Sequence, residues 1–163
     1  MLHIGAGGWA YFQVPGSDSL TAYSKAFDFV EVNSTFYTTF SIEMVRSWRR
    51  RVPEDFMFSV RCHKDLTHKF QLSPRQENYE ILGQSLLICT ELRAEILHIQ
   101  TPPSFCPDEK LKSIKDLLSS FDLGNIRLAW EIRGRMAQGT VDLIQDLGII
   151  HCTDIYITGN ACG

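Results

Sequence analysis

A chain of 163 residues, 44% hydrophobic and 21% charged, has the make-up of an ordinary globular domain and enough length for one sizeable core. Its formal net charge of -3 and pI near 5.9 exclude a broadly basic surface that coats nucleic acid, while leaving room for a local basic site. The start Met1-Leu2-His3-Ile4-Gly5 lacks the pattern of a secretory signal, no apolar run is long enough to cross a bilayer, and Cys62, Cys89, Cys106, Cys152 and Cys162 are scattered without a C-x-x-C pair. These features predict a cytoplasmic chain with reduced thiols, no membrane partner and one domain over 1–163.

In chain order, β-prone runs at Leu2 to Gly5, Phe29 to Asn33, Phe56 to Arg61, Ile96 to Gln100, Ile126 to Arg133 and Gly148 to Asp154 predict six strands. Helical spacing of apolar residues fills the gaps: Leu20, Tyr23, Phe27, then Ile42, Val45, Trp48, then Tyr79, Leu82, Leu86, then Leu111, Ile114, Leu118, and last Val141, Ile144, Leu147. Ser17-Asp18-Ser19 and Ser41 mark the first two helix starts. For the third, Ser73 is expected to cap, with Pro74 in the first position and Gln76 completing a capping box. Pro107-Asp108 precedes the fourth, and Gly124 and Gly148 punctuate the last two.

Strands alternating with helices predict parallel β-α-β units with right-handed crossovers. Each strand also alternates apolar and polar residues, which a doubly wound sheet covered on both faces does not do. Leu2, Ile4, Val30, Val32, Phe58, Val60, Leu97, Ile99, Leu128, Trp130 and Ile132 fall on one face. His3, Glu31, Asn33, Ser59, Arg61, His98, Gln100, Glu131 and Arg133 fall on the other. A polar face of that kind belongs in the lumen of a parallel β/α barrel of TIM type, with Asn33, Arg61, Gln100, Arg133 and Asp154 at the C-terminal strand ends where such barrels build their sites.

A closed eight-fold barrel takes about 250 residues, so about six strands and five helices leave it incomplete. Ile155 to Gly163, with two glycines and no amphipathic pattern, does not begin another helix. Truncation, a second gene product supplying the remaining strands, or oligomerisation over open parallel edges would each account for this.

Five segments carry a family likeness: Ile4 to Tyr11 (IGAGGWAY), Phe29 to Tyr37 (FVEVNSTFY), Phe58 to His68 (FSVRCHKDLTH), Ile99 to Phe105 (IQTPPSF) and Trp130 to Arg133 (WEIR). Together they resemble the YecE-like family, also called domain of unknown function 72. The resemblance implies a TIM-barrel-like fold, with a loose likeness to endonuclease IV and xylose isomerase barrels, and no established reaction. Its motif positions are Gly5, Gly8, Trp9, Glu31, Asn33, Thr35, Phe36, Tyr37, Thr67, His68, Gln100, Pro102, Pro103, Glu131 and Arg133. Arg61 stands where the family usually has lysine, Gly134-Arg135-Met136 replaces a His-Pro-aromatic segment, and the family's final strands have no counterpart here.

Glu31 and Glu131 are the acid/base candidates, since two carboxylates in one lumen can share proton transfer or hold a divalent metal. Arg61 and Arg133 lie on the same face and could instead pair with them in a self-satisfied network. His68, with Thr67, sits among Lys64, Lys69 and Arg75, a cluster suited to phosphate or merely to solvent. Trp9, Tyr11, Phe12, Phe36, Tyr37 and Phe40 offer either a stacking platform or packing beneath the loops. Gly5-Ala6-Gly7-Gly8 is not a dinucleotide fingerprint, because the helix opens only after Pro15-Gly16. Trp48-Arg49-Arg50-Arg51 reads as a solvated helix end whose charges suit the dipole. The adjacent pairs Cys62-His63 and His151-Cys152 point to opposite strand faces and do not make a zinc site.

Two functions follow. In the first, Glu31, Glu131 and His68 are catalytic, and Gly8, Trp9, Asn33, Thr35, Tyr37, Arg61, Lys64, Thr67, Gln100 and Arg133 bind a phosphorylated or nucleic-acid-derived ligand, as in a phosphodiester hydrolase. In the second, the chain is a non-enzymatic binding or assembly protein whose partial barrel is completed by another chain.

Overall fold

The computed structural model describes residues 2–153. Six parallel strands lie side by side in sequence order: β1 (Gly5–Ala6), β2 (Phe29–Val32), β3 (Met57–Arg61), β4 (Ile96–Thr101), β5 (Arg127–Ile132) and β6 (Ile150–Cys152). Five helices connect them: α1 (Ser19–Tyr23), α2 (Ile42–Arg50), α3 (Gln76–Leu92), α4 (Leu111–Leu118) and α5 (Gln138–Asp146). Strand order equal to chain order, with a helix at every crossover, is how a β/α barrel is wound, and six strands make an open half-barrel. Asp154 and Cys162 lie outside the described residues.

The alternation read from the sequence organises the sheet. Val30, Val32, Phe58, Val60, Leu97, Ile99, Leu128 and Trp130 are buried in the main apolar cluster with residues of the helical coat. Helix α3 lies over β3 and β4 and against α2, contributing Leu82, Ile88, Cys89 and Leu92 to the same core. Burial pushes the Cys62 thiol up to about 11, and its sulfur lies 3.4 Å from the Ser85 hydroxyl, so this cysteine is a packing residue.

Local signals account for the helix starts. The Asp18 carboxylate accepts from the Thr21 amide at 2.9 Å and caps α1. The Ser41 hydroxyl accepts from Met44 at 3.3 Å and caps α2. Asp108 acts at a distance, accepting from the amides of Ala137 and Thr140 at 3.0 Å each to tie the loop before α4 to the first turn of α5. Gly148, at φ 61°, closes the turn out of α5 in the left-handed region.

Three expectations need correction. Ser73 does not cap α3: the residue before the helix is Arg75, without a side-chain cap, and the Ser73 hydroxyl donates to the Phe70 carbonyl at 2.7 Å. That carbonyl ends the preceding tight turn and lies closer than the helix amides. Leu2 and Ile4 are not covered by helices but are 83% and 63% exposed. The coat over this edge is α1, which closes through the Tyr23 hydroxyl on the Ala6 amide (2.7 Å) and the Phe29 carbonyl (3.0 Å) and so stops short of residues 2 and 4. The first strand is Gly5–Ala6 and not Leu2 to Gly5, and His3, expected on the lumen face, precedes it and pairs with Asp28 at 2.8 Å.

Trp130 anchors the apolar face of β5 at 1% exposure, with its indole N–H 3.3 Å from the Thr101 hydroxyl. Replacing it with alanine in urea unfolding is expected to cost about 3–5 kcal/mol through lost burial and the cavity left behind.

Candidate functional site

Parallel pairing brings the polar strand face together. Register sets Glu31 beside Ser59, Arg61 beside His98, Gln100 beside Glu131, and Glu131 beside Cys152. A buried guanidinium must find partners. Arg61 donates to Asn33 Oδ1 at 2.6 Å and to Gln100 Oε1, lies 4.0 Å from Glu31, and rests on the Phe36 ring with its carbon 4.3 Å from the centroid. Gln100 donates onward to Glu131 Oε2 at 2.7 Å, and Arg133 donates to Glu131 Oε1 at 2.6 Å. Glu31, Asn33, Arg61, Gln100, Glu131 and Arg133, gathered from the sequence as one set, thus form one connected network across β2, β3, β4 and β5.

At the centre stands His98, which lies on the lumen face in the strand alternation yet was absent from the expected acid/base set. Its Nδ1 lies 2.6 Å from Glu31 Oε2 and its Nε2 3.6 Å from Glu131 Oε2. The signal was available, since His98 is two residues before Gln100 on the same face of β4. What sequence cannot supply is the stagger of β2, β4 and β5, which sets one imidazole between two carboxylates.

Burial alone would push the Glu131 carboxyl up, but hydrogen bonds from Arg133 and Gln100 and the nearby positive charge outweigh it and hold Glu131 below the usual carboxylate range. Burial pushes the Cys152 thiol up, and the charges of Glu131 and Glu31 add to the effect, which marks Cys152 as a lumen neighbour of both. Among the described residues, no three His, Cys, Asp or Glu side chains are grouped to hold a metal ion. Glu31 already engages His98 at hydrogen-bond distance, an arrangement that leaves no gap for an ion between them.

The rim is built by two loops. After β2, residues Asn33–Phe36 form a 3₁₀ turn in which the buried Thr35 hydroxyl bonds the carbonyls of Val32 and Arg61, both at 2.6 Å. Thr35, expected to bind ligand, therefore joins β2 to β3. After β3, residues Asp65–Lys69 form a π-helical turn, and the Lys64 amide bonds the Phe36 carbonyl at 3.0 Å, linking the loops. The buried Thr67 hydroxyl is 2.8 Å from His68 Nδ1, and the exposed His68 ring meets Phe36 edge-on at 5.5 Å. Lys64 lies over the exposed Tyr37 ring, 5.7 Å from its centroid. Immediately beyond, Gln71 and Leu72 hold φ of 50° and 53°, a conformation costing non-glycine residues about 1–2 kcal/mol each and sustained here by complete burial of Leu72.

Other candidates are drawn elsewhere. Trp9 packs edge-on against Trp48 at 5.3 Å, with Phe40 on the same ring, while Phe12 packs on Tyr23. Of the loop aromatics, Tyr11 and Tyr37 stay fully or largely exposed. Gly8 holds φ 107° in the same loop, open to added bulk but strained for any side chain, and Gly7 faces the Asn33 amide. Arg75 pairs with Glu77, Arg51 with Asp18, and Arg49 donates to the carbonyls of Phe56 and Pro53, which leaves Lys64 and Lys69, with the imidazole of His68, as the basic side chains of the turn after β3.

A half-barrel whose helices take the apolar strand faces and whose polar faces meet at one mouth is a TIM-barrel-like α/β architecture. The model for "Protein of unknown function DUF72" matches residues 3–154, and the chain belongs to that family. It is similar to the UPF0759 protein YunF of Bacillus subtilis (strain 168), 26% identical over 148 residues, covering 83% of this chain and 51% of that one. Among solved structures it is similar to a DUF72 family protein from Thermotoga maritima MSB8 (24% identity, TM-score 0.72, 93% of this chain and 64% of that one). A DUF72 family protein from Enterococcus faecalis V583 is also similar (17% identity, TM-score 0.73, 93% and 60%). The chain thus spans about half the length of the curated relative it matches.

The lowered Glu131 value sets a pH dependence. A carboxyl held below its unfolded value, about 4.3 for glutamate, adds stability above that pH and loses it as pH falls through the folded value. Urea titrations of wild type and Glu131→Gln should therefore differ at pH 7, with wild type the more stable, and the difference should shrink below about pH 4.3 and vanish only once the pH is below the folded value.

Proposed function

We propose that the C-terminal mouth of this half-barrel binds a phosphorylated ligand, free or part of a nucleic acid, and that the lumen beneath it carries out acid–base chemistry on a phosphate ester. The observation that carries this reading is the pairing of a strained, cationic rim with a fixed polar floor. Lys64 and His68 are exposed, Lys64 over the Tyr37 ring and His68 against Phe36 and Thr67, whereas Arg61 is already committed to Asn33 and Gln100. Strain retained beside a rigid polar cluster is typical of sites in which geometry matters more than stability, and π turns recur at such places.

In this reading Lys64, His68 and Lys69 receive the anion, Asn33 and Arg133 contact the body of the ligand, and Glu31 and Glu131 supply proton transfer. Calorimetric titration with inorganic phosphate, sugar phosphates and nucleoside monophosphates tests it. Wild type should bind at least one of these, with Lys64→Ala and His68→Ala each weakening binding about tenfold, as for loss of one charge-assisted hydrogen bond. Against a generic phosphodiester, Glu31→Gln should lower turnover by about 10²–10⁴-fold while leaving phosphate binding in place. Equal binding by the rim variants, or binding by none of the proteins, overturns the reading.

A second reading rests on the β1 edge. Parallel sheets are ordinarily covered, yet β1 has no outer neighbour among the described residues, and Leu2 and Ile4 stand exposed beside it. On this reading another α/β segment completes the barrel and the protein serves in assembly. Sedimentation analysis distinguishes it: a monomer at all accessible concentrations that binds phosphate favours the ligand site.

A further inference from the structure

The lumen contains a pairing that ligand binding alone does not require. His98 presents one ring nitrogen to each of two carboxylates contributed by different strands: Nδ1 to Glu31 Oε2 of β2 at 2.6 Å, and Nε2 to Glu131 Oε2 of β5 at 3.6 Å. The imidazole side chain is 12% exposed and the carboxylates 22% and 17%, so water has little access to the unit. Nε2 is buried without a hydrogen-bond partner at normal distance, and the atom nearest to serving as one is Glu131 Oε2. An imidazole kept only as a structural donor would need one of these carboxylates. Glu131 comes from β5, the neighbour of β4, but Glu31 reaches the ring from β2, two strands away, so the carboxylates converge on it from the two sides of β4.

The two carboxylates differ in their surroundings. Glu131 is held by Gln100 and Arg133 and faces Cys152 of β6 across the β5–β6 ladder. Glu31 has His98 at 2.6 Å and Arg61 at 4.0 Å. The ring thus lies between Glu31 of β2 and Glu131 of β5, with Arg61 opposite His98 in the β3–β4 register, Arg133 behind Glu131, and Cys152 opposite Glu131 in the β5–β6 register.

We infer that Glu31, His98 and Glu131 form a single proton relay across the floor of the lumen. When Glu131 takes a proton from a ligand at the mouth, it passes that proton to His98 Nε2, and His98 releases the proton on Nδ1 to Glu31 Oε2. One proton enters at Glu131 and one arrives at Glu31, so the ring returns to one proton with its tautomer reversed and no electrons change hands. The reverse sequence resets it. The 3.6 Å gap is the step that must shorten, as hydrogen bonds in unliganded sites commonly do on binding. His98 is here a positioning and proton-carrying residue, and its use rests on the ligand-site reading, although the coupling itself is a property of the protein without ligand.

The test is ¹⁵N NMR of the histidine ring nitrogens in the full chain, with the His98 signals assigned by their loss in His98→Gln. The relay predicts one ring proton shared between the two nitrogens of wild-type His98, so that each shows partial proton-bearing character. Nε2 should lose it in Glu131→Gln and Nδ1 should lose it in Glu31→Gln, while Cys152→Ser leaves both unchanged. A wild-type ring with a full proton on both nitrogens, which leaves Nε2 unable to accept one, or ring signals unaltered by both glutamine variants, overturns the relay. The wild-type spectrum decides the matter even if a variant fails to fold. Adding inorganic phosphate to the same samples separates the two ideas. If the His68 signals do not respond while the two His98 nitrogens share one proton, the ligand reading fails and the relay stands.

Discussion

Arg61 is the group on which the lumen depends. A guanidinium that is 12% exposed on a strand has lost nearly all its water, and leaving it unanswered would cost several kcal/mol. It is answered by Asn33 at the end of β2, by Gln100 from β4, by the ring of Phe36 and, at longer range, by Glu31. Each of these is then fixed in turn. Gln100 must turn its amide toward Glu131, Phe36 must stay beneath the rim, and the 3₁₀ turn carrying it is fastened by Thr35 to the Arg61 carbonyl. The floor and the rim are thus one mechanical unit with the guanidinium as its pivot.

This unit explains why residues that look alike in composition behave differently. Arg49 and Arg51 belong to the same chain and carry the same charge, but they bond backbone carbonyls and Asp18 at the opposite edge of α2 and serve its end. Arg133, half exposed at the mouth, is held by a single carboxylate, that of Glu131. The aromatic residues divide in the same way. Trp9, Phe12 and Phe40 are absorbed by packing against Trp48 and Tyr23, whereas Tyr37 stands outside with Lys64 across its face. A platform of six rings is therefore reduced, around the rim, to Tyr37 above a buried Phe36.

The open edge at β1 belongs to the same physics. In a parallel sheet each strand borrows its cover from neighbouring helices, and α1, only five residues long, cannot extend over Leu2 and Ile4. The relatives of this family are longer than the present chain, which matches 51% of YunF and 64% of the Thermotoga maritima structure. The polar network nevertheless lies entirely within β2 to β5 and the loops that follow them.

The sequence by itself determined the class of fold and, His3 apart, which polar residues share the lumen face. Period-two alternation obliges Glu31, Arg61, Gln100 and Glu131 to share a face, and helical spacing between the strands obliges that face to be a parallel one turned away from the helices. The five motif segments were enough to bring the family likeness into view. Only the tertiary structure decided how members of that face meet. The stagger of separate strands set His98 between two glutamates, the competition for nearby carbonyls took Ser73 from its helix and Thr35 from the site, and the reach of α1 uncovered Leu2 and Ile4. Period records which way a side chain points, whereas contact depends on distances between segments far apart in the chain, and those distances arise only when the sheet is assembled.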